Sequence, residues 1–182
     1  MTGWLGTRQR PRLLLLIAAA ALVAAHPVRA QTTVVVLVRH AEQDRSAGQD
    51  PGLTAAGRAR ADSLVHALRG SGIGAIYHTQ LRRSKETAAP VASALGITTS
   101  ELGIRAGQSP SDHAAEVAAD ILANHQGGTV LVVGHSNTVP LIAGALGVTD
   151  PPAIAETEFH HMYVVLKPAS GPARLILARY GS

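Results

Sequence analysis

In the stretch TVVVLVRHAEQ, residues 33 to 43, an uninterrupted apolar run ends on Arg39 and His40, with Glu42 two residues further on. A second stretch, TVLVVGHSN at 129 to 137, repeats the grammar and ends on His135. Neutral imidazole serves both as a nucleophile and as a metal ligand. A metal reading would add Glu42 or Asp44 to His40 and His135, and would leave Arg39 as a fixed cation beside the ion, an unfavourable neighbour. Arginine is instead shaped to grip phosphate oxygens in a bidentate fork. Its charge also favours the neutral form of an adjacent histidine, and only that form can attack phosphorus. Arg39 with His40 therefore suits phosphoryl transfer better than metal-assisted hydrolysis.

For the two histidines to act together, the elements that carry them must be neighbours. In open parallel sheets, ligands bind beyond the carboxyl ends of the strands, and each histidine stands just past such an end. From residue 31 onward, strand-length apolar runs alternate with helical stretches, the pattern of a parallel sheet flanked by helices. TVVVLV at 33 to 38 has the continuous β-branched character of a central strand buried on both faces. Thr54 is placed to cap a helix through AAGRARADSLVHALRG, with Ala61, Leu64, Val65 and Leu68 on one face and Gly70 after its end. AIYHT at 75 to 79 reads as a short strand, followed by a helix over about 83 to 95 and a loosely patterned stretch to Pro110.

Ala114, Val117, Ala118, Ile121 and Leu122 stripe the next helix, with Glu116 and Asp120 facing away. Pro140 fits only the first turn of a helix, so the helix after the second histidine should start near Asn137. MYVVLK at 162 to 167 and RLILARY at 174 to 180 read as a closing pair of strands. GSGIGA at 70 to 75 matches the letters of a dinucleotide fingerprint, but it follows a helix and precedes a strand. That is the reverse of the order in which a pyrophosphate could rest on a helix N-terminus.

The first 30 residues have the parts of a secretory signal: Arg8, Arg10 and Arg12, then the apolar LLLLIAAAALVAA, then Val28 and Ala30 in a small-residue cleavage pattern. Thirteen apolar residues fall short of the roughly 18 to 20 that a membrane-spanning helix needs. Cleavage after Ala30 would leave one domain over 31–182 in the periplasm or outside the cell, with no membrane attachment. The full chain carries 16 basic and 12 acidic residues, and four of the basic ones lie in this leader. The remainder is electrically balanced, so the basic excess gives no support for a nucleic-acid partner. With no cysteine anywhere, disulfides, thiolate chemistry and Cys-ligated metals are excluded.

At this level of detail the chain resembles the histidine phosphatase superfamily, also called phosphoglycerate-mutase-like. LVRHAEQ is similar to its nucleophile motif, with Ala41 where glycine is usual. LTAAGRARA at 53 to 61 resembles the helix start that follows in many members. YHTQLRRSKETAAPVA at 77 to 92 is similar to the segment that carries the second phosphate-binding arginine, in a register that puts it at Arg83, with Arg82 as a surface neighbour. VLVVGHSN resembles the block with the second essential histidine. The resemblance implies an α/β fold, a three-layer αβα sandwich with a mostly parallel central sheet. It implies that His40 carries the phosphoryl group as a phosphohistidine while Arg39, Arg83 and His135 cradle its oxygens. No metal and no organic cofactor is implied.

The expected substrate is a phosphomonoester, with surface-glycan phosphate such as lipopolysaccharide heptose phosphate, or protein phosphohistidine, as narrower alternatives. A noncatalytic phosphate-binding module is the alternative of another class. The leaving-group acid has no assignment, because the usual acidic block is missing and Ser136 stands where one branch of the family carries aspartate. Glu101, Asp112 and Glu116 are the candidates, although Glu116 faces outward and Asp112 suits a helix cap. His66, His78, His113 and His125 read as ordinary helical or rim residues. His160 and His161 precede a strand, where neighbours alternate sides, so shared metal binding is not expected of them. The loops at about 43 to 52, 97 to 111 and 149 to 159 should shape the substrate pocket.

Overall fold

The structure, a computed structural model, describes residues 1–2 and 31–181; the leader expected over 1–30 lies outside the described residues but for its first two. The elements follow the order β1 (Thr33–Arg39), α1 (Ala55–Ala67), β2 (Ile73–His78), α2 (Arg82–Leu95) and β3 (Ser100–Glu101). They continue with α3 (Pro110–Asn124), β4 (Thr129–Gly134), α4 (Val139–Ala145), β5 (His161–Lys167) and β6 (Arg174–Arg179). Among the described residues no helix is long and apolar enough to cross a membrane.

The strands form one sheet in the order β3-β2-β4-β1-β5-β6. β1 pairs in parallel with β4, and β2 in parallel with both β4 and β3. The closing pair is antiparallel: β5 against β1, and β6 against β5. Period-two alternation divides the strand side chains between two cores. Val35, Leu37, Tyr77, Val130 and Val132 meet α3 and α4 through Val117, Ile121 and Ile142 on one face. Val36, Val38, Ile76, Leu131 and Val133 meet α1 and α2 through Leu64, Ala88 and Val91 on the other. The result is the three-layer αβα sandwich. Each of these valines and leucines contributes roughly 1.5–3 kcal/mol by leaving water, which is why a continuous apolar run is needed in a strand covered on both faces.

Boundaries moved where local chemistry outweighs periodicity. Ile73 and Gly74 join β2 ahead of the predicted start at Ala75, and α2 begins one residue early at Arg82. α2 continues through Pro90, at the cost of one helical hydrogen bond. β3, two exposed residues in the loosely patterned stretch, is too short to leave a periodic trace. α4 starts at Val139, so Pro140 stands in its first turn as its missing N–H requires.

One glycine fixes how α1 meets the chain leaving β1. A Cβ on Gly57 would come within 2.3 Å of the Glu42 carbonyl oxygen, closer than any side chain tolerates. Thr54 closes the same junction: its Oγ1 accepts from Gly57 N–H at 3.0 Å, and its own N–H donates to Glu42 O at 2.9 Å.

Candidate active site

β1 and β4 are neighbours in register, Arg39 opposite Gly134, and the His40 N–H donates to Gly134 O at 2.9 Å. The next residue on each strand is therefore a histidine, and the His40 and His135 rings lie 5.3 Å apart edge to face. Both are buried, at 3% and 7% exposure.

The His40 ring is oriented by a short relay. Its Nδ1 is 2.8 Å from Ala41 O. A carbonyl only accepts, so Nδ1 carries the proton and Nε2 is the nitrogen with a free lone pair. Ala41 is held in turn from α2, where Thr87 Oγ1 accepts from Ala41 N–H at 2.9 Å and donates to Arg83 O at 2.7 Å. His135 is fixed from two sides. Its N–H donates to Thr138 Oγ1 at 2.9 Å, and its Nε2 is 3.0 Å from the Thr79 hydroxyl. Ser84 ties α2 to the sheet by donating to Val133 O at 2.5 Å.

Burial pushes the His40 pKa down to about 4; the Arg83, Arg39 and Arg45 charges push the same way, and the hydrogen bond to Ala41 O opposes them. His135 is pushed down to about 3, again first by burial and then by His40, Arg83, His113 and Arg39. Both imidazoles are thus neutral at pH 7. The adjacent arginine contributes to this, as the sequence implies, but desolvation is the larger cause.

Arg83, half-buried on α2, is near enough for its charge to act on both His40 and His135, and its Nε has no hydrogen-bond partner among the described residues. Arg82 turns outward to Glu86, with Nε 2.6 Å from Oε1, and is exposed. Arg39 is 1% exposed, and its use is divided. Nη1 donates to Ala155 O at 2.9 Å and Glu158 O at 3.1 Å, and Nη2 donates to Glu156 Oε2 at 2.9 Å. Its Nε, like that of Arg83, is buried and without a partner. The Phe159 ring lies under the guanidinium, 4.1 Å from its carbon to the ring centroid. Arg39 and Arg83 thus each keep one buried N–H without a partner among the described residues, and both charges act on His40 and His135.

Two of the three carboxylates considered for leaving-group chemistry are engaged by other side chains, and the third is exposed. Glu116 holds Arg105 at 2.6 and 2.7 Å and Gln108 at 2.8 Å. Asp112 accepts from the Ser109 hydroxyl at 2.7 Å at the start of α3, and Glu101 is exposed on β3. Glu42, once a possible metal ligand, is in a two-pronged ion pair with Arg60 at 2.8 to 3.0 Å. Asp44 accepts from Ser46 in an exposed turn.

The carboxylate at the site is Glu156, which sequence reasoning missed. It accepts from the Ser136 hydroxyl and from Arg39, and it is exposed at the edge of a cleft of about 400 Å³ lined also by Glu42, Gln43, Arg45, Thr157 and Phe159. The Ser136 hydrogen bond, with Arg39 and Arg45, holds its pKa below the usual carboxylate range. Nothing in its flanking residues marks it; only the fold brings residue 156 to residues 39 and 136.

Comparison with known proteins agrees with this geometry. Residues 35–107 match the family described as histidine phosphatase superfamily (branch 1). A protein histidine phosphatase, SixA, solved with tungstate, superposes with a TM-score of 0.65 at 21% identity, over 80% of this chain and 96% of that one. A protein from Nakamurella multipartitia assigned as the phosphohistidine phosphatase SixA gives 0.59 at 25% identity, over 83% and 98%. A mycobacterial glucosyl-3-phosphoglycerate phosphatase gives 0.61 at 18% identity, over 84% and 100%. No curated protein matches the sequence significantly. The match over residues 35–107 makes that part of the chain similar to the histidine phosphatase superfamily, and the solved phosphatases share its fold.

Proposed function

We propose that the protein is an exported phosphatase that hydrolyses its substrate through a phosphohistidine on His40. The observation that carries this reading is the state of the His40 ring. Its Nδ1–H is committed to Ala41 O, its basicity is lowered by burial, and Nε2 keeps its lone pair at neutral pH. Nε2 attacks phosphorus, the bond to the leaving group breaks on the opposite side, and the leaving atom takes a proton from solvent. Water then adds to phosphorus, the P–N bond breaks with its electron pair returning to Nε2, and phosphate departs with a proton released. His135 and the Nε–H groups of Arg39 and Arg83 stabilise the charge on the transferring oxygens, the main source of catalysis in phosphoryl transfer. None of these steps requires a metal ion.

With Glu116 and Asp112 engaged by other side chains and Glu101 exposed to solvent, leaving groups that depart without strong protonation are favoured. Phosphoramidates, including protein phosphohistidine, meet that condition, and two structurally similar proteins are described as phosphohistidine phosphatases. Export rests on the leader, and N-terminal sequencing of the purified protein should begin at Gln31.

The test is hydrolysis of p-nitrophenyl phosphate and of phosphohistidine by wild type and His40→Ala. Turnover should persist in EDTA and fall by at least about 10³-fold in the variant. Turnover that survives the substitution would exclude the nucleophile, and phosphate binding without turnover by wild type would identify a noncatalytic module.

A further inference from the structure

The segment that enters β5 carries a cluster of potential ligands outside the His40 site. Glu158, His160 and His161 each offer one ligand atom, and the three atoms lie within 4.8 Å of one another. The two histidine rings are 4.4 Å apart, tilted by 36°. This corrects the expectation that they point to opposite sides. Alternation holds within a strand, and β5 begins at His161, so the backbone of His160 is not bound by it.

Two orphaned nitrogens give the cluster its meaning. His160 Nε2 and His161 Nε2 are both buried, and neither has a hydrogen-bond partner among the described residues. His161 Nε2 is 3.3 Å from Glu158 Oε2, within ion-pair reach but not aligned as a hydrogen bond. Buried polar atoms normally find partners, and two imidazole nitrogens that lack them beside a carboxylate make a donor set suited to a cation. A tetrahedral zinc ion with ligands at about 2.0–2.2 Å sets them roughly 3.3–3.6 Å apart. The His161–Glu158 pair already has that spacing, and side-chain rotation by about 1 Å closes the rest.

We propose that Glu158, His160 and His161 bind a divalent transition-metal ion of the zinc class, with water completing its coordination. Two imidazoles and a carboxylate are the donor set that such ions prefer over calcium or magnesium. A cavity of about 460 Å³ beside His160 gives an entry path; it is lined also by Arg60, Arg179, Tyr180 and Gly181. The Arg60 charge is met by Glu42 at 2.8 Å, and Arg179 is exposed, so its charge is screened by water and salt.

The bound ion stands outside the phosphoryl chemistry and acts on its scaffold. Glu158 O is one of the acceptors that hold Arg39 Nη1, and Phe159 lies under the same guanidinium. An ion that ties residue 158 to residues 160 and 161 fixes the segment against which Arg39 rests. The site does not depend on the hydrolysis reading, and neither does its test.

The experiment is titration of untagged protein, purified as the cell makes it, with Zn²⁺ by calorimetry and with Co²⁺ by visible absorption. One ion per chain should bind with micromolar affinity, Co²⁺ should give ligand-field bands, and saturating Zn²⁺ should raise Tm by at least about 4 °C. His160→Ala and His161→Ala should each weaken binding by at least ten-fold. Glu158→Gln keeps an oxygen for its hydrogen bond from Ala155 N–H at 2.9 Å and should weaken binding without unfolding the segment. The paired variant His40→Ala/His135→Ala should bind as wild type does. Absence of saturable binding, or binding lost in the His40/His135 variant and retained in the other three, would overturn the proposal.

Discussion

Two regions meet at Arg39, and they are built on opposite principles. The strand-end region around His40 and His135 is buried, and Thr87, Thr138 and Ser84 hold Ala41 N–H, His135 N–H and Val133 O beside the paired strands. The 155–160 segment is irregular backbone whose carboxylates are exposed at Glu156 and half-buried at Glu158, yet it supplies three acceptors to the buried guanidinium. In the first region, removal from water sets the chemistry: low-basicity imidazoles and donors with nothing to bind. In the second, charge is at the surface, where water and salt weaken it. Substitutions should therefore be costly in the first region and mild in the second.

The largest expected contrast is between adjacent arginines. Arg83→Ala should lower kcat/KM by about 10²–10³-fold, the usual effect of losing a donor to a developing oxyanion. Arg82→Ala removes an exposed pair with Glu86 and should change it by less than about three-fold. Equal losses would break the assignment of register.

Next is Gly57→Ala, which forces a methyl group against the Glu42 carbonyl two residues beyond His40. Overpacking of this kind costs about 1–3 kcal/mol, measured as a lower urea midpoint, and it should reduce kcat as well because it displaces the chain leaving β1.

Acid should act through the same region. In the folded protein His40 and His135 take up protons only near pH 4 and 3, against 6.5 for an unperturbed histidine. Between these values the unfolded chain binds more protons, so stability falls as pH drops from about 6.5 toward 4 and is insensitive to these two groups above that window. Urea midpoints across pH 4 to 7.5 for wild type and His135→Asn test this, and the variant should show the shallower dependence.

The smallest effect should come from the loop. Glu156→Gln withdraws a carboxylate that competes with anions for Arg39, and because that carboxylate is itself exposed it should tighten inhibition by inorganic phosphate by only about three-fold. A loss of turnover of 100-fold or more would instead make Glu156 part of the chemistry.

The same division explains what the amino-acid sequence disclosed. β1 and β4 are legible because burial on both faces demands unbroken apolar runs, and their ends mark the crevice where His40 and His135 meet. Thr54 and Pro140 are legible because capping and the missing proline N–H constrain single positions. Thr87 and Thr79 are not legible, although both stand in the stretch 77 to 92, because a buried hydroxyl leaves no periodic trace. Glu156 and the His160–His161 pair were illegible for another reason. Their partners are far along the chain or on irregular backbone, and strand alternation does not extend to His160, which precedes β5.

The central claim is that His40 Nε2 becomes bonded to phosphorus during turnover. Rapid-quench sampling with a ³²P-labelled phosphodonor tests it most directly. The account predicts label on the protein that survives alkali, is lost in acid, maps to the peptide containing His40, and is absent from His40→Ala. Steady hydrolysis in which fast sampling never captures that label, or label that maps to another residue, would contradict it.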